Sequence, residues 1–231
     1  MTDPWDPADR AEDAAPTTAA DLAPSGRTET ISDGVFAIAI TLLVLNLHVP
    51  TASEQADAGS ALQALLAEWP AYLSYLATFL TVALIWMNHH ALFIHIRYVD
   101  QQLQWMNTGI LLGVCLTPFP NALVADALKT GLSSDAAKAA ASAYGFVFMM
   151  TTLAWILIWG RLARRPQLLR PPYTGRWARR ERLRGALGTA VYAAGIGLAW
   201  ISPLLAMGLF VALAFFYAVT ARGFAHVASD R

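Results

Sequence analysis

The chain has 231 residues, 56% of them hydrophobic and only 14% charged, with a formal net charge of zero. A soluble domain carries about 25% charged residues, so the composition points to a membrane protein and offers no bulk attraction for nucleic acid. The single cysteine, Cys115, excludes a disulfide framework or a cysteine-based metal site within one chain.

The N-terminal stretch MTDPWDPADRAEDAAPTTAADLAPSG is acidic and rich in Pro, Ala and Thr. It has neither the basic start nor the apolar core of a signal peptide. It reads as a disordered acidic tail over residues 1–26, before a membrane domain over 27–223 and a short cytoplasmic tail over 224–231.

A bilayer core of about 30 Å needs about 20 mostly apolar residues per helix. Six segments meet that need: about Thr30–Val49, Tyr72–Phe93, Leu103–Leu123, Ala139–Leu162, Gly185–Ser202 and Pro203–Ala221. The second can extend backward through GSALQALLAEWPAY. Pro118 and Pro120 are expected to kink or end the third, and Pro203 to start the sixth after a tight hairpin. No internal duplication is visible. The expected fold class is an all-α membrane protein with six transmembrane helices per subunit and one repeat.

Nine of the sixteen Lys and Arg residues fall in RLARRPQLLRPPYTGRWARRERLR, after the fourth segment, and none falls between Pro50 and Pro70. The positive-inside rule makes the Arg-rich segment a cytoplasmic loop and puts both termini on that side of a plasma membrane. Trp69, Trp86, Trp105, Trp155, Trp159 and Trp177 fall near expected span ends or loops, and Trp200 near the opposite interface. Topology accounts for most of the arginines, which also suit anionic membrane lipid. Arg97 and Asp100 read as a surface pair in the loop between spans two and three.

The first segment carries polar residues whose roles are open. Thr30, Ser32 and Asp33 read as helix caps at its cytoplasmic end. Alternatively, Asp33 is an intramembrane charge with a partner, for which Arg27, His89 and His90 are candidates. Ile38, Leu42 and Leu45 recur at i, i+4 and i+7, Thr41 shares their stripe, and Gly34 extends it inward. Such a stripe is ordinary core packing or a surface with a function of its own. His89, His90 and His95 contain no i, i+4 pair, so no metal site is expected among them. No phosphate loop, nucleophile elbow or HExxH sequence appears, and no enzymatic activity or cofactor is expected.

The stretch RTETISDGVFAIAITLLVL, Arg27–Leu45, resembles the Arg-x-x-x-Phe-Ser-Asp signature of the bacterial homologues of the endolysosomal potassium channel, the transmembrane protein one-seven-five family. The similarity continues more loosely through Trp86–Pro120. The resemblance implies a homotetrameric, potassium-preferring cation channel whose central pore is lined by the first helix of each subunit. It implies a hydrophobic constriction at Ile38, Leu42 and Leu45 and a selectivity layer at Thr41. It also implies a structural polar network of Arg27, Ser32 and Asp33, with Trp86, Asn88 and His89 as partners. K⁺, with other monovalent cations, would be the permeant ion. Ile31 stands where the family usually has phenylalanine, and Asn46–His48 where an acidic residue is common. A proton-coupled secondary transporter, with Asp33 and His89 titrating in turn, is the alternative; the expected pair of broken, related helices is missing.

Overall fold

The computed structural model describes residues 22–131 and 134–220. The expected acidic tail over 1–21 and the C-terminal tail over 224–231 lie outside the described residues. Residues 22–26, expected to continue that tail, are structured: Ala23–Pro24 forms a short strand, β1, and the first helix, α1, covers Ser25–Leu42.

The early start of α1 removes the capping reading of Ser32 and Asp33, which lie two turns inside the helix. Pro24, with φ −56° and ψ 140°, sets the entry, and no side chain caps the helix locally. Tertiary contacts replace the cap. The Ser25 amide donates to the Arg97 carbonyl at 3.4 Å, and the Ser25 hydroxyl donates to the Ile96 carbonyl at 2.9 Å. β1 pairs antiparallel with β2, Tyr98–Val99. Ile96 in turn bridges to Leu169. The start of α1 is thereby sewn to two loops distant in sequence.

Past Leu42 the helix tightens into a 3₁₀ turn, Leu43–Asn46. The Asn46 amide donates to the Pro118 carbonyl at 2.9 Å, fixing that end as well. Two short helices follow, α2 (Ala52–Asp57) and α3 (Ala61–Ala67), each opened by a hydroxyl cap: Thr51 with Glu54 in a capping box, and Ser60. Helix α4 then runs over Trp69–His95. Helix α5, Gln101–Leu116, is capped by Asp100 and leads into α6, Pro118–Thr130. Thr117 keeps helical angles between them, so the prolines kink the span rather than end it.

Helix α7, Asp135–Arg164, is the longest at 30 residues. Helix α8, Gly175–Ala199, and α9, Pro203–Thr220, close the structure, with the expected hairpin between them. Much of the Arg-rich segment expected as a loop is therefore helical: Arg176, Arg179, Arg180, Arg182 and Arg184 occupy the first half of α8. Among the described residues, four helical segments are long and apolar enough to cross a membrane: Ser25–Asn46, Trp69–His95, Gln101–Lys129 and Asp135–Arg164, with Pro203–Val219 a shorter apolar helix. The protein is a mostly helical, multi-pass membrane protein.

Helix α7 bridges two cores. One gathers Phe36, Val82, Phe93, Leu103, Ile110 and Ile158, and the other Ala140, Tyr144, Phe148, Tyr192 and Phe210. At Gly113 of α5 an added Cβ would collide with the Thr151 side chain of α7, so glycine allows that close crossing. Trp155 stacks on Trp159, Trp159 meets Trp177 edge-on, and Trp177 packs against His95 and Tyr173, so these three rings form one aromatic cluster. Trp69, Trp105 and Trp200 do face outward. Asp100 is not a surface partner of Arg97. It is 4% exposed, accepts two bonds from Arg161 at 2.7 and 3.0 Å, and caps α5 through Leu103. Sequence proximity favoured Arg97, but the end of α7 delivers Arg161 to the buried carboxylate.

Outside the spans, Glu54 accepts from the Thr51 amide at 2.6 Å and the Thr51 hydroxyl at 2.8 Å, with His48 Nε2 at 3.0 Å. The Thr51 amide, then His48 and the Thr51 hydroxyl, hold its carboxyl down to about 2. A carboxylate depressed in this way stabilises its cap fully above the ordinary glutamate range and loses that contribution as pH falls through about 2. In an NMR titration of carboxyl-labelled protein, Glu54 is expected to stay ionised at about pH 3, where ordinary glutamates are protonated. A midpoint near about 4.3 would show that the cap does not form.

Candidate functional site

Helix α1 has two opposed faces. Ser25, Thr28, Ser32, Phe36 and Ala39 are buried, a 3–4 spacing that turns one stripe toward the rest of the chain. Ile38 (61% exposed), Leu42 and Leu45 (75% exposed) face outward, with Thr41 and Gly34 exposed beside them. The aliphatic stripe is therefore not part of the chain's own core. Thr41 Oγ1 donates to the Ile38 carbonyl at 2.9 Å, one residue short of the usual i−4 acceptor.

The buried face carries a polar relay. Ser32, His89 and Asn107 are each 1% exposed or less. The Ser32 hydroxyl donates to the Thr28 carbonyl at 2.8 Å, so its contact with Asn107 needs a donor, the amide Nδ2 at 2.9 Å. That orientation turns Asn107 Oδ1 toward His89 Nε2 at 2.8 Å, and a carbonyl oxygen only accepts. His89 therefore carries its proton on Nε2. Its ring stacks on Phe93 with centroids 4.5 Å apart and lies 5.2 Å from Phe36. One side chain each from α1, α4 and α5 thus closes a hydrogen-bonded chain inside an aromatic and aliphatic box.

Other expected members lie elsewhere. Asp33 is only partly buried and bonds neither Arg27 nor His89; it accepts from Trp86 Nε1 at 2.9 Å. Arg27 is exposed, with no hydrogen bond or ion pair to another described residue. Asn88 donates to the Leu84 carbonyl of its own helix. The network expected as one is two: Ser32–Asn107–His89 inside and Asp33–Trp86 at the flank. Asn107 was not singled out in the sequence. Its signal was a carboxamide in an otherwise apolar helix, in need of a buried partner. Asn121 is a second such case, accepting from Ser74 and Thr78 at 2.7 and 2.8 Å and tying α6 to α4.

The relay generates a direct test. Asn107→Leu strands a buried donor on His89 and removes the donor serving Ser32, at about 1–3 kcal/mol per orphaned group. The purified variant is expected to melt lower than the parent. Combining it with Ser32→Ala should cost less than the sum of the two single changes, because both cut one chain. Additive losses would show that Ser32 and Asn107 act independently.

Residues 27–118 match the family model for the endosomal/lysosomal potassium channel TMEM175. A potassium channel of Streptomyces collinus is 38% identical over 193 residues, covering 84% of this chain and 91% of the relative. The endosomal/lysosomal proton channel TMEM175 of Bos taurus is 42% identical over 87 residues, 36% of this chain and 18% of that protein. Among solved structures, a lysosomal potassium-selective channel TMEM175 homologue from Chamaesiphon minutus superposes with a TM-score of 0.73 at 32% identity, covering 84% of this chain and 96% of that one. The first-helix signature, the fold and similarity over most of both chains agree: the chain belongs to the TMEM175 family, which is a family of ion channels and not of enzymes.

Proposed function

We propose that the protein is a potassium-preferring cation channel, a homotetramer in which four copies of α1 line one central pore. The observation that carries this reading is the outward stripe. A helix whose polar face is locked inside its own subunit turns Ile38, Thr41, Leu42 and Leu45 away from that subunit. A single helix cannot enclose an aqueous path, so several subunits must contribute one each. The potassium-channel names of the relatives, from Streptomyces collinus and Chamaesiphon minutus, support K⁺ as the permeant ion. Each subunit would cross the plasma membrane six times, with α8 and α9 completing the bundle and both termini on the Arg-rich, cytoplasmic side.

The chemistry of the stripe suits this role. Rings of Ile38, Leu42 and Leu45 form a narrow apolar constriction that excludes water and bars a hydrated ion. Thr41 gives its hydroxyl proton to its own helix, so the oxygen it turns outward is an acceptor. A ring of acceptor oxygens can replace part of a cation's hydration shell and has nothing to offer an anion. Arg27, exposed in the single subunit, is free to engage a neighbouring subunit.

Two measurements test the proposal. Native mass spectrometry or light scattering of the purified protein is expected to give a tetramer; a stable monomer overturns the pore. In bilayers under a K⁺/Na⁺ gradient, Ile38→Asn is expected to raise unitary conductance and weaken discrimination against Na⁺. Thr41→Ala should lower the K⁺/Na⁺ preference with only a modest change in conductance. Parental currents from both variants would move the pore elsewhere.

A further inference from the structure

Near the start of α1, Glu29 and Asp33 lie at i and i+4 on one face, and His90 of α4 stands opposite them. One ligand atom from each residue lies within 4.8 Å of the other two. We propose that these three side chains form a binding site for a divalent transition-metal ion, with Zn²⁺ as its natural probe, joining α1 to α4.

The geometry is close to what such an ion needs. A tetrahedral first-row metal with bonds of about 2.0–2.2 Å holds its donor atoms about 3.4 Å apart. His90 Nδ1 and Glu29 Oε1 are already 3.1 Å apart. The Asp33 oxygen lies within 4.8 Å of both, so it has to close by at most about 1.4 Å, within the reach of one side-chain torsion.

Supporting groups are in place. Trp86 Nε1–H donates to Asp33 Oδ1 and leaves Oδ2 without a hydrogen-bond partner among the described residues. The His90 ring lies nearly parallel to the same indole, with an interplanar angle of 26° and centroids 6.1 Å apart. Trp86 therefore positions two of the three ligands, the outer-shell role that metal sites require. Half of the His90 side chain is exposed, so water can reach the fourth position.

Charge favours the same conclusion. Two carboxylates one turn apart repel each other, and a divalent ion held between them relieves that repulsion. One nitrogen and two oxygens suit Zn²⁺, Co²⁺ or Mn²⁺ better than Mg²⁺ or Ca²⁺, which favour all-oxygen shells. The ligands come from two helices, which is why spacing along α4 alone gave no sign of the site.

Titration of the full-length protein in detergent tests this without any current being recorded, so its outcome is separate from that of the pore. Isothermal calorimetry with Zn²⁺ is expected to show one saturable site per subunit. Co²⁺ is expected to give the intense visible bands of a four-coordinate ion. Glu29→Gln and His90→Ala should each abolish both signals. Trp86→Phe, which keeps the ring and loses the N–H, should weaken binding about tenfold. His48→Ala, at the other histidine–glutamate pair, should leave binding unchanged. Absence of saturable binding overturns the site, as does Zn²⁺ binding that survives in both Glu29→Gln and His90→Ala.

Discussion

Helix α1 can turn an apolar stripe outward only because its opposite face is fixed by hydrogen bonds that have no substitute. Among apolar side chains a rotation about the helix axis costs little, since one aliphatic contact replaces another. The Asn107 carboxamide changes that. It sits between a hydroxyl of α1 and an imidazole of α4, all three sealed from solvent. A rotation that separates them leaves polar groups stranded in an apolar interior, where an unmade hydrogen bond is far more costly than a lost van der Waals contact. Polar specificity on one face therefore sets the direction of the aliphatic residues on the other.

The two ends of α1 are held in the same spirit, by hydrogen bonds to backbone carbonyls of distant segments. At its start, the β1–β2 pairing and the Ser25 bonds join it to the loop after α4. That loop is bonded through Arg97 and Ile96 to the segment after α7. Asp100 gives the junction its charge closure by binding Arg161 while capping α5. At its far end, Asn46 reaches the carbonyl that opens α6. The helix is clamped at both termini and keyed in the middle.

The sequence made the membrane class, the main apolar segments, the Pro203 hairpin and the first-helix signature legible, because each is written in local composition and spacing. The family resemblance also grouped Ser32, His89 and Trp86 in one polar network. Which one finds which was not legible. Asp33 takes Trp86 rather than Arg27 or His89, and Asp100 takes Arg161 rather than Arg97. Those choices depend on how helices far apart in sequence cross. The start of α1 was misjudged for a related reason: its cap is the carbonyl of a residue about seventy positions away, not a neighbouring side chain. Likewise, the charge density of the Arg-rich segment suggested a loop, although arginine is a good helix former.

The switch to 3₁₀ winding at Leu43 has a geometric consequence for the outward stripe. In that winding residues three apart eclipse, so Leu45 stands directly above Leu42. In continuous α-helix it would lie about 60° away, above Ile38 instead. The tighter turn also lengthens the segment by about 0.5 Å per residue, about 2 Å over its four residues. A single turn of backbone thus acts as a vernier. Rewinding it as α-helix would carry Leu45 sideways and draw it inward together, with no other residue of the stripe having to move.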